Sequence, residues 1–409
     1  MPVSSFLAFA VLATLAVPAL EAGTQRGGYR NAQTLTGLDV LASQGFASLK
    51  GKQVGLITNH TGIDREGRRN IDVMRQAGVD IVALYSPEHG FAGTADHSGI
   101  GDVTDPATGI KVFSLYGKTL RPTPETLQGV EVLVFDIADV GVRFYTYETT
   151  MGYGMEAAAQ AGIPYVVLDR PNPVTGTRVE GPLLDATNVN FAGYHPGTPA
   201  RHGMTMGELA QLFNAERKIN ANLTVVPLQD WQRADWFDAT NLPWVNPSPN
   251  MRSLKAASLY PGVCLVEFSK NISVGRGTDS PFEQIGGDFI RGRELSAYLN
   301  ARNIPGVRTY PTSFTPTESR FKDVRIEGVR FEVTDRERLD AVRLGLELAC
   351  AIEKLYPQKV EWASSKRLIG SDEVVRRIVA GDDPQTIENS YKKDLAAFKK
   401  RRAKYLLYK

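Results

Sequence analysis

Residues 81–90, Ile-Val-Ala-Leu-Tyr-Ser-Pro-Glu-His-Gly, decide the fold. Ile81–Tyr85 runs without a polar face, which predicts a strand covered on both sides, and the turn after it carries an acid and a histidine. The same pattern recurs outward in both directions. Val54–Thr58 leads into Asn59-His60-Thr61, Val112–Leu115 into Tyr116-Gly117, and Tyr165–Leu168 into Asp169-Arg170-Pro171-Asn172-Pro173, while Val132–Ile137 contains Asp136 and leads to Asp139. Helical patterns at Ile71–Ala77 and Met151–Ala161 lie between these strands. Buried strands alternating with helices predict an α/β fold with an open, doubly wound parallel sheet. Right-handed crossovers bring the C-terminal ends of such strands to one edge, and ligands of open α/β sheets bind beside it.

The later half is expected to form a smaller α+β domain. A helix at Met206–Arg217 starts after Thr205, with Glu208 placed for a capping box. A strand at Leu223–Pro227 follows, and then the proline-rich stretch Asn241–Arg252. Val263–Phe268 reads as a strand before the glycine-rich turn Ser273–Thr278. Helices at Gly292–Arg302 and Arg336–Leu355 flank a strand at Val329–Val333. The basic tail Tyr391–Lys409 reads as a solvated helix face. The division expected is a first domain over 35–195 and a second over 200–409.

The 409 residues carry 47 Lys and Arg against 45 Asp and Glu, a net charge of +2, which lacks the basic footprint of a nucleic-acid-binding protein. The two cysteines, Cys264 and Cys350, sit in apolar surroundings without metal-ligand spacing and are expected to be buried, inert thiols. Phe6–Ala19 is an apolar run too short to span a membrane, with small residues at Ala19 and Ala22. Residues 1–22 therefore read as a signal peptide, and the remainder as an exported protein with no membrane insertion.

The ionisable groups at the sheet edge point to chemistry. Glu88, half-enclosed after an apolar strand and beside His89, is placed to act as a general acid. In Asp139–Tyr147 one arginine, Arg143, accompanies Tyr145 and Tyr147. Aromatic rings stack on sugar faces, and guanidinium groups grip carboxylates. Gly275 and Gly277 free the amides around Arg276 for an anion. The chain lacks a P-loop, the dinucleotide fingerprint, a serine elbow and His-Glu-x-x-His, so no cofactor is expected. His60, His89 and His97 with Asp96 and Asp102 match no standard ligand set, and no metal is assigned.

These blocks together resemble one family. Asn59-His60-Thr61-Gly62, Ser86–Gly90 with Phe91 and Gly93, Ser114–Gly117, Val134–Tyr147, Asp169–Pro173, Val179–Pro182 and Ser273–Thr278 follow the order found in bacterial exo-β-N-acetylmuramidases, formerly a domain of unknown function. The resemblance runs over about residues 35 to 408. It implies a Rossmann-like domain, a C-terminal α/β domain and an active site in the cleft between them. The implied reaction is release of N-acetylmuramic acid from the non-reducing end of peptidoglycan fragments, with Glu88 as the acid. Two departures fall in the second half: Glu267-Phe268-Ser269-Lys270-Asn271 replaces the usual Glu-Gly/Ala-Thr-Asn, and Gly287-Asp288 replaces Ala-Pro.

A glycosidase normally needs a second carboxyl group, for which Asp136 and Glu180 are the candidates. The lactyl carboxylate of a muramyl sugar needs a cation, expected from Arg143 or Arg276, with Lys270 and Arg201 next in line. Asn59, His60, His89, Tyr145, Tyr147 and Asn172 complete the expected sugar contacts. Two other classes remain open from the residues: a non-catalytic peptidoglycan-binding envelope protein, and a metal-dependent esterase or amidase using His60, His89 and Asp136.

Overall fold

Twelve strands appear among the described residues of the computed structural model, which are Met1 and residues 30–409. Apart from Met1, the expected signal peptide lies outside them. The strands are β1 Gln53–Thr58, β2 Asp80–Ser86, β3 Val103–Thr104, β4 Lys111–Ser114, β5 Val132–Asp136, β6 Tyr165–Leu168, β7 Glu180–Leu183, β8 Pro199–Arg201, β9 Leu223–Val226, β10 Gln284–Gly287, β11 Val307–Phe314 and β12 Ile326–Val333. The helices are α1 Gly37–Ser43, α2 Asn70–Gln76, α3 Tyr147–Ala161, α4 Met206–Glu216, α5 Leu254–Val263, α6 Gly292–Ala301, α7 Ala341–Leu355, α8 Trp362–Ile369, α9 Asp372–Val379 and α10 Pro384–Arg402.

The large sheet has the order β3-β4-β2-β1-β5-β6-β9, parallel except for β3. In β1, β5 and β6 alternate side chains enter different cores, as the absence of a polar face requires. Val54, Leu56, Val132 and Val134 pack in a cluster with residues of α1 and α2. Ile57, Leu133, Phe135 and Val167 pack in another with residues of α3 and α4. From β1 the chain builds toward β4, then returns to β5 on the other side of β1. The loops after β1 and β5 thus diverge at a topological switch point, where such sheets open a crevice.

The smaller sheet, β10-β12-β11, is antiparallel. β7 and β8 form a separate antiparallel pair. Residues 31–409 make one compact unit. Among the described residues no helix is long and apolar enough to cross a membrane.

Three local expectations change. Leu223–Val226 joins the large sheet by pairing with β6, so that sheet runs past residue 195. Val263–Phe268 is no strand: it holds the end of α5, with Ser253 as its N-cap, and a 3-10 turn at Cys264–Val266. Its apolar run is that of a helix buried all round, which period alone does not separate from a buried strand. Gly262 permits this packing, because a Cβ there would lie 1.8 Å from the Ala341 carbonyl oxygen of α7. Finally, the tail is not merely a solvated face. Arg402 is buried and donates to the carbonyls of Gly176, His202 and Gly203, and the Tyr408 hydroxyl donates to Asp169 at 2.5 Å.

The expected helix at Met206–Arg217 forms with its full capping box, Thr205 and Glu208 exchanging both hydrogen bonds. Cys264 and Cys350 are buried and unpaired by disulfide, as their surroundings imply.

Candidate active site

The turn after β2 carries Glu88 to the C-terminal edge of the large sheet. His89 and Gly90 both take left-handed backbone angles, φ 70° and 73°, and the Gly90 N–H closes the turn on the Pro87 carbonyl at 3.0 Å. The loop after β1 braces this turn. The His60 N–H donates to the Phe91 carbonyl at 3.0 Å, and the His60 ring packs so closely on Gly93 that a Cβ there would meet it at 1.8 Å. The other face of the ring is tied to the proline-rich stretch, with Nε2 2.7 Å from the Asn246 carbonyl. Burial holds the His60 pKa below its ordinary value. A neutral, wedged imidazole supports the Glu88 turn from behind.

Glu88 opens onto a cleft of about 250 Å³ whose wall comes from both halves of the chain. Its Oε2 accepts a hydrogen bond from the Thr146 hydroxyl at 2.5 Å, which fixes the carboxyl against the N-cap of α3. Tyr116, after β4, faces the same group. Burial, reinforced by the Glu88 charge, keeps the Tyr116 phenol protonated well above the ordinary tyrosine range. Tyr145 lines the cleft between Tyr147 and Tyr260, stacked edge-on against each at 4.9 and 5.9 Å. Phe191, Phe268 and Phe282 add aromatic wall.

Two more carboxyl groups line the cleft, and one of them, Asp96, lies 3.8 Å from His89 Nδ1. Glu267 follows the 3-10 turn after α5, and Asp96 lies in the loop beyond Glu88. Arg276, in the glycine-rich turn, joins them: Nε donates to Glu267 at 2.6 Å and Nη1 to both Asp96 oxygens at 3.2 Å. Burial works against its charge, but these two carboxylates raise the Arg276 pKa above the ordinary value. The second Glu267 oxygen accepts from the Cys264 thiol at 2.9 Å, and the second Asp96 oxygen also receives Asn250 at 2.8 Å.

The remaining expected residues sit elsewhere, each for a reason of burial. Asp136 ends a central strand with no exposed surface, and it is held by Arg170 at 2.7 and 3.0 Å and by Asn70 at 2.7 Å. Glu180 pairs with buried Arg201 at 3.0 Å and receives the Ala341 N–H at the start of α7. Neither lines the Glu88 cleft, so neither is its second carboxyl. Arg143 is wholly buried, and Nη2 donates to the Leu368 and Ile369 carbonyls at 2.9 and 3.0 Å. Burial pulls its pKa down to about 10.

Asn172 spans Met204 and Val174, Asn59 caps its own turn through Thr61, and the Tyr147 hydroxyl donates to the Pro247 carbonyl at 2.7 Å. These three shape the edge without lining the cleft. Of the expected set, Glu88, His89, Tyr145 and Arg276 line the cleft together. Glu267 and Arg367 also line it and were given no role from the sequence. The family-like block quoted around Glu267 was the available signal for the acid, and none marked Arg367.

The histidines offered as metal ligands are committed to backbone carbonyls, His89 to Ala95 at 2.7 Å and His97 to Ser98 at 3.0 Å. Among the described residues, the three acids close enough to share an ion are Asp39, Asp64 and Glu66. Asp39 and Asp64 already hold backbone amides, and Asp64 also holds the Arg68 guanidinium.

A cleft lined by three carboxyl groups and aromatic rings at the edge of an open α/β sheet carries the groups by which a glycoside hydrolase protonates and holds a sugar. Residues 54–255 match the N-terminal model, and 258–408 the C-terminal model, of exo-β-N-acetylmuramidase NamZ. The chain belongs to the exo-β-N-acetylmuramidase family. It is 46% identical over 378 residues, 91% of each chain, to the peptidoglycan β-N-acetylmuramidase NamZ of Bacillus subtilis strain 168. Two solved DUF1343 family proteins of Bacteroides fragilis superpose with TM-scores of 0.86 and 0.75, at 34% and 30% identity. Each comparison covers 92% of this chain, and 100% and 99% of the respective neighbours.

Proposed function

We propose that the protein hydrolyses the terminal β-glycosidic bond of peptidoglycan fragments, releasing N-acetylmuramic acid from the non-reducing end, with Glu88 as general acid. The observation that carries this is the Glu88 carboxyl, fixed through one oxygen by Thr146 at 2.5 Å and facing a cleft of monosaccharide scale. Thr146 fixes Oε2 and Tyr116 bonds the same carboxyl, which holds the group at the cleft to present its proton to the glycosidic oxygen. As the C–O bond breaks, the leaving alcohol takes that proton and positive charge develops on the sugar ring, which is quenched when water bonds to the anomeric carbon and gives up a proton to a cleft carboxylate. Asp96 and Glu267 place negative charge on the cleft wall, and Arg276 keeps the two from repelling each other. Tyr145 and the surrounding phenylalanine rings supply apolar faces for the sugar.

The substrate lies outside the cytoplasmic membrane, and the Phe6–Ala19 run with Ala19 and Ala22 supports export of the enzyme to it.

Glu88→Gln tests the assignment. The amide keeps the volume and an oxygen for Thr146 but has no proton to give. Hydrolysis of a muramyl disaccharide should fall by about 10²–10⁴-fold, with sugar binding retained. Retention of more than about a tenth of the wild-type rate on that poor leaving group would remove Glu88 from the role.

A further inference from the structure

An enzyme with three carboxyl groups in its cleft has an electrostatic difficulty with a substrate that is itself a carboxylate. N-acetylmuramic acid differs from N-acetylglucosamine by its 3-O-lactyl group, so an unengaged cation is required on the cleft wall. Arg276 is spent on Glu267 and Asp96. Lys270 is paired with Glu361 at 2.9 Å, Arg201 with Glu180, and Arg143 is buried on two carbonyls. Arg367, in the last turn of α8, is different. It lines the cleft, it is exposed, and its side chain forms no ion pair or hydrogen bond with any described residue.

We propose that Arg367 binds the lactyl carboxylate and so sets the preference for muramyl over glucosaminyl sugars. This rests on the muramidase function proposed above. Its position is prepared by the residue that the sequence suggested for the task. Arg143 donates to the carbonyls of Leu368 and Ile369, immediately after Arg367, and so ties the end of α8 to the segment that carries Tyr145 and Thr146. Gly370 ends the helix in the left-handed conformation at φ 78°, and a Cβ there would lie 2.6 Å from Arg143 Nη2. Arg143 is thus a positioning residue, and Arg367 is the group that meets the substrate. The guanidinium fork matches a carboxylate in geometry as well as charge.

The test compares three chromogenic substrates: an N-acetylmuramide, the same compound with its lactyl acid converted to the carboxamide, and an N-acetylglucosaminide. In the wild type the acid should exceed its amide in kcat/KM. Arg367→Met should reduce the acid-to-amide ratio by about 10- to 150-fold, corresponding to about 1.5–3 kcal/mol, chiefly through KM. Arg367→Lys should recover part of the loss, retaining charge without the fork. Because the Arg367 side chain has no hydrogen-bond or ion-pair partner among the described residues, its substitution should leave stability nearly unchanged, and a thermal melt checks this.

An unaltered acid-to-amide ratio in Arg367→Met, with an active wild type, overturns the Arg367 assignment alone. Equal losses on acid and amide do the same, since they mark a role unrelated to the carboxylate. A wild type that cleaves the glucosaminide and not the muramide overturns the functional proposal itself.

Discussion

Replacing Arg276 by Met removes the one cation shared by Asp96 and Glu267, and the structure allows the cost to be divided. The Asp96 side chain is 30% exposed, so its half of the interaction is screened and contributes about 0.5–1 kcal/mol. The Glu267 side chain is only 10% exposed and would be left with a single hydrogen bond, from the Cys264 thiol. Breaking a buried pair on one side costs about 3–5 kcal/mol, and the residual exposure and the thiol reduce this to about 2–3. The variant should therefore lose about 3 kcal/mol in urea unfolding at neutral pH. Adding Glu267→Gln removes the stranded charge, so the double variant should regain about 1.5–3 kcal/mol, a coupling read directly from the double-mutant cycle. Muramide and glucosaminide hydrolysis should fall in the same proportion, because Arg276 organises the wall rather than reading the lactyl group. Unchanged stability of the single variant would refute the accounting. Selective loss of muramide hydrolysis would show that Arg276 reads the carboxylate after all.

Two further outcomes are expected. Burial drives the Asp139 carboxyl up to about 7 even though the Gly141, Val140 and Val142 amides favour its ionised form. This folded-state value lies above the unfolded one, so the stability it contributes is complete below about pH 4 and is lost as pH rises through 7, at up to about 1.4 kcal/mol per pH unit. Asp139→Asn should therefore gain stability over wild type progressively from pH 4 to 7 and hold a constant advantage above; a difference independent of pH in parallel melts would contradict this. The secreted protein should begin near residue 20 to 23, and a mass spectrum showing residues 6–19 retained would contradict export by cleavage.

The sequence by itself determined five parallel strands of the large sheet and put Glu88 at its edge, while β3 and the place of β9 in that sheet emerged only from the structure. Ile81–Tyr85, Val132–Asp136 and Tyr165–Leu168 have no polar face, and several such short runs alternating with helices are satisfied best by a parallel sheet covered by helices. Glu88 was legible for a related reason: an acid in the turn after a buried strand has to arrive at the ligand-binding edge.

Only the tertiary structure decided which charges are free. Asp136, Glu180 and Arg143 look in sequence like the groups that remain open to ligand, yet each is bound to a partner distant along the chain: Asp136 to Arg170, Glu180 to Arg201, and Arg143 to the end of α8. Burial in one dimension is periodic and can be read. Partnership is a three-dimensional relation between residues whose separation carries no local signal. Glu267 and Arg367 enter the cleft by the same rule, through the packing of α5 against α7 and the hold of Arg143 on α8. Among the cations of the cleft wall, Arg367 stands out only once the partners of Arg276 and of the other candidate cations are known.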